Sequence, residues 1–264
     1  MRVRVVVPIY TEDPSKAREF LEELTPEVGW ALDSGTQLSL RCLRAGPASI
    51  ECFVDEVMAT PYILEEVVKA EREGEQAVVI NCFGDPALWA SREAVRIPVV
   101  GAGQAAMVLA GILGESFSIV TVLDKVVPMI RRNARLYGLS SRLASIRWVN
   151  VPVLQIEQDR DSVVQRVIRE AEVAVEQDGA EVVVLGCTGF SRLVTEVREL
   201  PVPVVDPTLA AIKMAEVLVS RGWSHSKSAF PFPPPKRRYG FPGLSAAGDE
   251  RAEAIQQLIV REEE

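Results

Sequence analysis

The chain has 264 residues, 48% hydrophobic and 25% charged, which is ordinary globular composition with length for one large domain or two smaller ones. Its net charge of -8 is spread along the sequence, with basic and acidic residues interleaved; this excludes the basic footprint of a nucleic-acid binder and favours a small-molecule partner. No run approaches the ~18 uninterrupted apolar residues of a membrane span, and the apolar stretch before Pro8 is too short for an export signal, so a soluble, cytoplasmic protein is expected.

In chain order, short Val/Ile-rich runs alternate with longer amphipathic stretches. Strands are expected at 3–7, 37–43, 77–81, 97–100, 117–122, 146–151, 181–186 and 202–205. Nearly continuous apolar strands separated by helices imply parallel sheets covered on both faces. Gly74, Gly114, Gly138, Gly179 and Gly222 stand where helices should end. Asp13-Pro14, Asp85-Pro86 and Asp206-Pro207 read as an N-cap followed by proline at the first helical position.

A shift of 105 lays residues 77–110 on 182–215, placing Cys82 on Cys187, Gly84 on Gly189, Pro98 on Pro203 and Ala105-Ala106 on Ala210-Ala211. The expected architecture is two pseudosymmetric, doubly wound, flavodoxin-like halves, 1–113 and 114–220, with the active site between them. The remainder, 221–264, reads as an irregular Pro-rich arm and a short final helix from Asp249, packing on the first half or on a partner subunit.

Four cysteines occur, at 42, 52, 82 and 187, without the spacing of a zinc site, and His225 is the one histidine; free thiols and no metal are expected. Cys82 and Cys187 each follow a buried strand and precede a helix, at the sheet edge where doubly wound folds hold ligands. Facing one another, they could remove a proton from one face of a carbon and deliver one to the other, inverting it without a cofactor. One thiol must then be ionised while the other is protonated. Helices starting at Asp85 and near Ser191, with the amides of Phe83-Gly84 and Thr188-Gly189, would favour the thiolate and a developing oxyanion. Cys42 and Cys52 lack this duplication and read as structural.

Pro8, Ile9 and Tyr10 end the first strand and should line the same cleft, while Thr121 ends a strand of the second half and either binds substrate or is ordinary strand-end packing. Gly101-Ala102-Gly103 with Ala106 formally fits a dinucleotide fingerprint, but its duplicate at Asp206-Pro207-Thr208 loses the glycines, so no nucleotide cofactor is expected. His225, in a Ser-rich segment, reads as solvated.

Five motifs recur in order: Gly46 to Glu51, Cys82-Phe83-Gly84-Asp85-Pro86, Phe117 to Thr121, Tyr137-Gly138-Leu139, and Asp178 to Gly189 with Gly186-Cys187-Thr188-Gly189. Over about residues 46–220 the chain resembles the hydantoin racemase branch of the aspartate/glutamate racemase superfamily. The resemblance implies cofactor-independent 1,1-proton transfer on a hydantoin, an amino acid or another small carbon acid, with Cys82 and Cys187 as the acid/base pair, in a homo-oligomer. Val7-Pro8-Ile9 stands where the family's hydantoin and allantoin racemases usually carry Asn-Pro-Asn, and Thr188 is similar to the Gly-Cys-Thr of its amino-acid racemases. Two alternatives stay open: a maleate-type cis-trans isomerase using one cysteine as nucleophile, and a non-catalytic small-molecule binding protein.

Overall fold

The computed structural model describes residues 1–13, 15, 22, 29, 32–193, 197 and 200–236. The Asp13-Pro14 cap and the final helix from Asp249 therefore lie outside the described residues. The elements in order are β1 (Arg2–Val7), β2 (Gln37–Cys42), α1 (Phe53–Arg72), β3 (Ala77–Ile80), α2 (Leu88–Ala94), β4 (Val99–Gly101), α3 (Ala102–Leu113), β5 (Phe117–Thr121), α4 (Val127–Leu136), β6 (Leu143–Trp148), α5 (Arg160–Glu176), β7 (Val182–Leu185), β8 (Val204–Val205) and α6 (Pro207–Ser220). Short 3-10 turns stand at Asp124–Val126, Val153–Gln155 and Thr188–Leu193.

Two four-stranded parallel sheets result, ordered β2-β1-β3-β4 and β6-β5-β7-β8, so the duplication visible in the sequence is a duplication of topology. The inner strands β1, β3, β5 and β7 are buried on both faces, which is why they read as nearly continuous apolar runs, while the edge strands β2 and β6 keep exposed polar positions. In the first sheet Val6, Val78, Ile80 and Val99 pack with Ile63 and Val67 of α1, while Val3, Val5, Val7, Ala77 and Val79 face a core that continues into the second half. That shared core is closed by an exchange of helices. Helix α3 follows β4 yet packs on β7 of the second sheet, and α6 follows β8 yet packs on β3 and β4 of the first. The two equivalent helices meet each other through buried alanines, Ala105, Ala106 and Ala110 against Ala210, Ala211 and Ala215, whose small side chains allow close approach.

The structure departs from three sequence expectations. The sixth strand is Leu143–Trp148 rather than 146–151, because Asn150 takes a left-handed backbone (φ 56°) that ends the ladder. Val149 and Val151 are nonetheless buried, and their amides bond Thr121 and Val122 carbonyls, so the apolar run continues as a buried loop. Asp85 does not cap the helix after it, since that helix begins at Leu88 and Asp85 and Ala87 both have positive φ. His225 is half-buried rather than solvated. Its Nε2 lies 2.8 Å from the Val99 N–H, and burial, with Arg92 and Lys227 nearby, pushes its pKa down to about 4, leaving a neutral ring that accepts the edge-strand amide.

Around that contact the segment after α6 lies on the first half. Lys227 Nζ donates to the carbonyls of Arg92 (2.6 Å) and Val95 (2.5 Å), and Phe230 stands edge-on to Trp89 and His225. Among the described residues no helix is long and apolar enough to cross a membrane.

Candidate active site

β3 and β7 are each four wholly buried residues, held in register by β1 and β5 respectively. The chain leaves each sheet at the same level of its carboxyl edge, through Asn81-Cys82 in one half and Gly186-Cys187 in the other. Both cysteines line a single cavity of about 250 Å³. Pro8, Ile9, Phe83, Gly84, Thr121, Thr188 and Gly189 line it too, as the sequence places them. Tyr10 does not, because its N–H donates to the Pro47 carbonyl (2.8 Å) and carries the chain away.

Thr121 also carries a structural contact. It is fully buried, and its hydroxyl donates to the Gly186 carbonyl at 2.9 Å, fixing the peptide that precedes Cys187. The Thr188 hydroxyl reaches across to the Asn81 carbonyl (3.2 Å) and so ties the two cysteine loops together. The halves are further joined at the cavity by Glu51, whose carboxylate accepts the Val153 amide (2.7 Å), and by the Glu56–Arg132 ion pair (3.0 Å).

Both thiols are partly accessible and free. Burial raises Cys187 to about 11, against the pull of the Gly189 and Phe190 amides. Burial raises Cys82 further still, opposed by the Gly84 amide and reinforced by the charges of Cys187, Asp85 and Glu56. The two sulfurs thus feel each other's charge, which disfavours double ionisation and leaves the monoanion with its charge on Cys187 as the first base form. The helix expected from Asp85 begins only at Leu88, so the single turn amide of Gly84 faces the Cys82 sulfur, whereas the Gly189 and Phe190 amides that face Cys187 belong to the first turn of the 3-10 helix Thr188–Leu193.

The loop carrying Cys82 is held by groups the sequence did not single out for this task. Asp85, fourth residue of the Cys82 motif, turns its carboxylate onto the first amides of α3, accepting Gly103 N–H (2.9 Å) and Gln104 N–H (2.7 Å). The duplicated positions of α6, Thr208 and Leu209, are capped by its own Asp206, so each equivalent helix receives a carboxylate, one locally and one from the Cys82 loop. Tyr137 of the second half donates to Asp85 (2.6 Å), and Asn133 donates to the Gly84 carbonyl (2.7 Å). Burial raises Asp85 to about 7, with Tyr137, the two amides and Arg92 pulling it back down.

Gly101 and Gly103 have their explanation in the same contact. A Cβ on Gly103 would lie 2.2 Å from the Phe83 carbonyl oxygen, and one on Gly101 2.3 Å from the Asp85 carboxylate. The apparent dinucleotide fingerprint is where the Cys82 loop seats on α3, and the amides a phosphate would use are occupied by Asp85.

A two-lobed parallel α/β fold with a shared cleft, seen beside its relatives, defines the class: this is a racemase, an isomerase. The chain belongs to the Asp/Glu/Hydantoin racemase family, whose model matches residues 18–215. It is 36% identical over 240 residues to a hydantoin racemase of Pseudomonas sp. (strain NS671), covering 90% of this chain and 94% of that one. It is 37% identical over 243 residues to a hydantoin racemase of Paenarthrobacter aurescens, covering 90% and 100%. The structure of allantoin racemase from Klebsiella pneumoniae superposes with a TM-score of 0.85 at 33% identity, covering 93% of this chain and 99% of that one.

Proposed function

We propose that the protein racemises 5-monosubstituted hydantoins bearing an apolar 5-substituent, by cofactor-independent 1,1-proton transfer between Cys82 and Cys187. The observation that carries the reading is the pair of thiols at equivalent sheet edges on one largely apolar cavity. In one direction a thiolate removes the C5 hydrogen as a proton, the C–H electron pair passes into the adjacent C4 carbonyl as an enolate, and the opposite thiol protonates C5 from the other face. Thiol and thiolate have then exchanged roles, and charge balances at every step.

The walls support a neutral ring with a greasy substituent. Val7, Pro8 and Ile9 form one side, and Val122, Val126 and Met129 another. An amino-acid carboxylate would have to compete for Arg192, whose guanidinium lies 3.5 Å from the Glu157 carboxylate at the cavity wall. A hydantoin needs no counter-ion. Similarity to proteins named hydantoin racemase points the same way.

The test is polarimetry on enantiopure 5-benzylhydantoin as a function of pH. Loss of rotation is expected. Because burial lifts Cys187 to about 11, the thiol form prevails at neutral pH and the base form is gained as pH rises. The value of kcat/KM should climb by about tenfold per unit between roughly pH 7 and 9. No loss of rotation with folded protein refutes the substrate, and a flat profile refutes a raised thiol as the base.

A further inference from the structure

Asn81, directly before Cys82, ends β3 and is 3% exposed. Its side-chain amide begins a file of polar groups that crosses to the second half. Thr208 Oγ1 stands 2.9 Å from Asn81 Oδ1, Ser191 Oγ stands 2.8 Å from Thr208 Oγ1, and Asp206 Oδ1 stands 2.7 Å from Ser191 Oγ. Each separation is that of a hydrogen bond, so each needs one hydrogen.

Counting hydrogens settles the direction. Asp206 Oδ1 already accepts the amides of Thr208 (2.8 Å) and Leu209 (3.3 Å) at the head of α6, so it takes the Ser191 hydrogen and gives none. Ser191 has then spent its hydrogen, and the Thr208 hydroxyl must donate to Ser191. Three contacts share two hydroxyl hydrogens, and the third can come only from an N–H at the Asn81 end. The opposite orientation of the amide would leave two oxygens face to face without a hydrogen inside a buried network, at a cost of about 1–3 kcal/mol. A half-turn of the amide, which exchanges Oδ1 and Nδ2 and leaves every other atom in place, supplies that hydrogen: Nδ2 then stands at Thr208 and the carbonyl oxygen points the other way.

That other end of the amide has no protein partner among the described residues, yet it is not sealed off, and Asn81 lines the cavity between the two thiols. We infer that Asn81 presents its side-chain carbonyl oxygen to the cavity and there accepts an N–H of the substrate ring. The inference rests on the hydantoin reading and deepens it. An acceptor beside Cys82 selects a lactam or imide N–H and repels a carboxylate, which has only acceptors to offer. The Asp206–Ser191–Thr208 file makes the choice permanent, because the amide cannot turn over without breaking it.

Binding tests this without turnover. Titration calorimetry with 5,5-dimethylhydantoin, which has both ring N–H groups but no hydrogen on C5, is compared with its 1-methyl, 3-methyl, 2-thio and 4-thio analogues. Wild-type protein should bind one N-methyl analogue about tenfold or more weakly than the parent, and Asn81→Ala should shrink that ratio to about threefold or less while leaving the oxo/thio ratios unchanged. Thr208→Val, which frees the amide without altering the cavity wall, should shrink the same ratio partway. If Asn81→Ala instead erases an oxo/thio preference, or leaves the N-methyl ratio intact, the assignment is overturned. Racemisation of 5-benzylhydantoin by the same preparation is read separately: turnover with an unaltered N-methyl ratio overturns the Asn81 assignment alone, whereas absence of turnover overturns the proposed activity.

Discussion

Cys82→Ser and Cys187→Ser are each expected to lose roughly 10³- to 10⁴-fold in kcat for racemisation, with the melting temperature almost unchanged. A serine hydroxyl is far too weak an acid to exist as the required alkoxide, and equally too reluctant to give its proton to a hydantoin enolate. Neither thiol is a packing keystone, since both are partly accessible at the cavity, so the fold should tolerate the change of sulfur for oxygen. Cys42→Ser is the matched control. Burial raises that thiol to about 11 as well, but it ends β2 away from the cavity lining and should leave kcat within about twofold of wild type. Activity of either cavity variant within tenfold of wild type would remove the thiols from the mechanism.

Gly103→Ala should be the most damaging single-methyl change. The new Cβ would sit 2.2 Å from the Phe83 carbonyl oxygen, and that neighbour is backbone, so no rotamer relieves it. Either α3 or the Cys82 loop must move. The cost in stability is about 1–3 kcal/mol, the usual range for overpacking. The cost in activity is larger in proportion, because a shift near 1 Å at Phe83-Gly84 misplaces both Cys82 and the amide facing its sulfur; a loss of ~10²-fold in kcat/KM is expected. The equivalent position in α6 carries Thr208, since that helix is capped by Asp206 from its own start and the Thr208 hydroxyl finds partners in Ser191 and Asn81. Thermal unfolding and kcat/KM measured on the same Gly103→Ala preparation check both halves of this expectation, and unchanged values in both would contradict it.

The strands were legible because burial on both faces is written locally, as in Ala77–Ile80 and Val182–Leu185, where every residue is apolar and sealed. The cysteine pair was legible because duplication put the same residue at two strand ends. What the sequence could not show was which partner a side chain chooses across the fold. Asp85 before a proline looks like a local cap, and only the exchange of α3 into the second half brings the amides of Gly103 and Gln104 to it. Thr121 reads equally as a substrate ligand or as strand-end packing, and its bond to the Gly186 carbonyl, 65 residues away, is not written locally. His225 looks solvated because its partner, the Val99 amide, is 126 residues away. Asn81 did leave a signal: it is the polar residue that interrupts an apolar run immediately before Cys82, at the place where the other half has Gly186.

The central claim is proton transfer by two monoprotic bases on opposite faces of one carbon, and heavy water tests it most directly. L-5-benzylhydantoin is converted by the wild-type enzyme in D₂O, with enantiomers separated by chiral chromatography and their deuterium content read by mass spectrometry early in the reaction, after subtraction of uncatalysed exchange. Deuterium is expected at C5 of the D product from the first turnovers, while the remaining L substrate keeps its protium, because the thiol that removed the proton can only return it. Deuterium entering the remaining substrate as fast as the product forms would mean one exchangeable base serving both faces, and would contradict the pairing of Cys82 with Cys187.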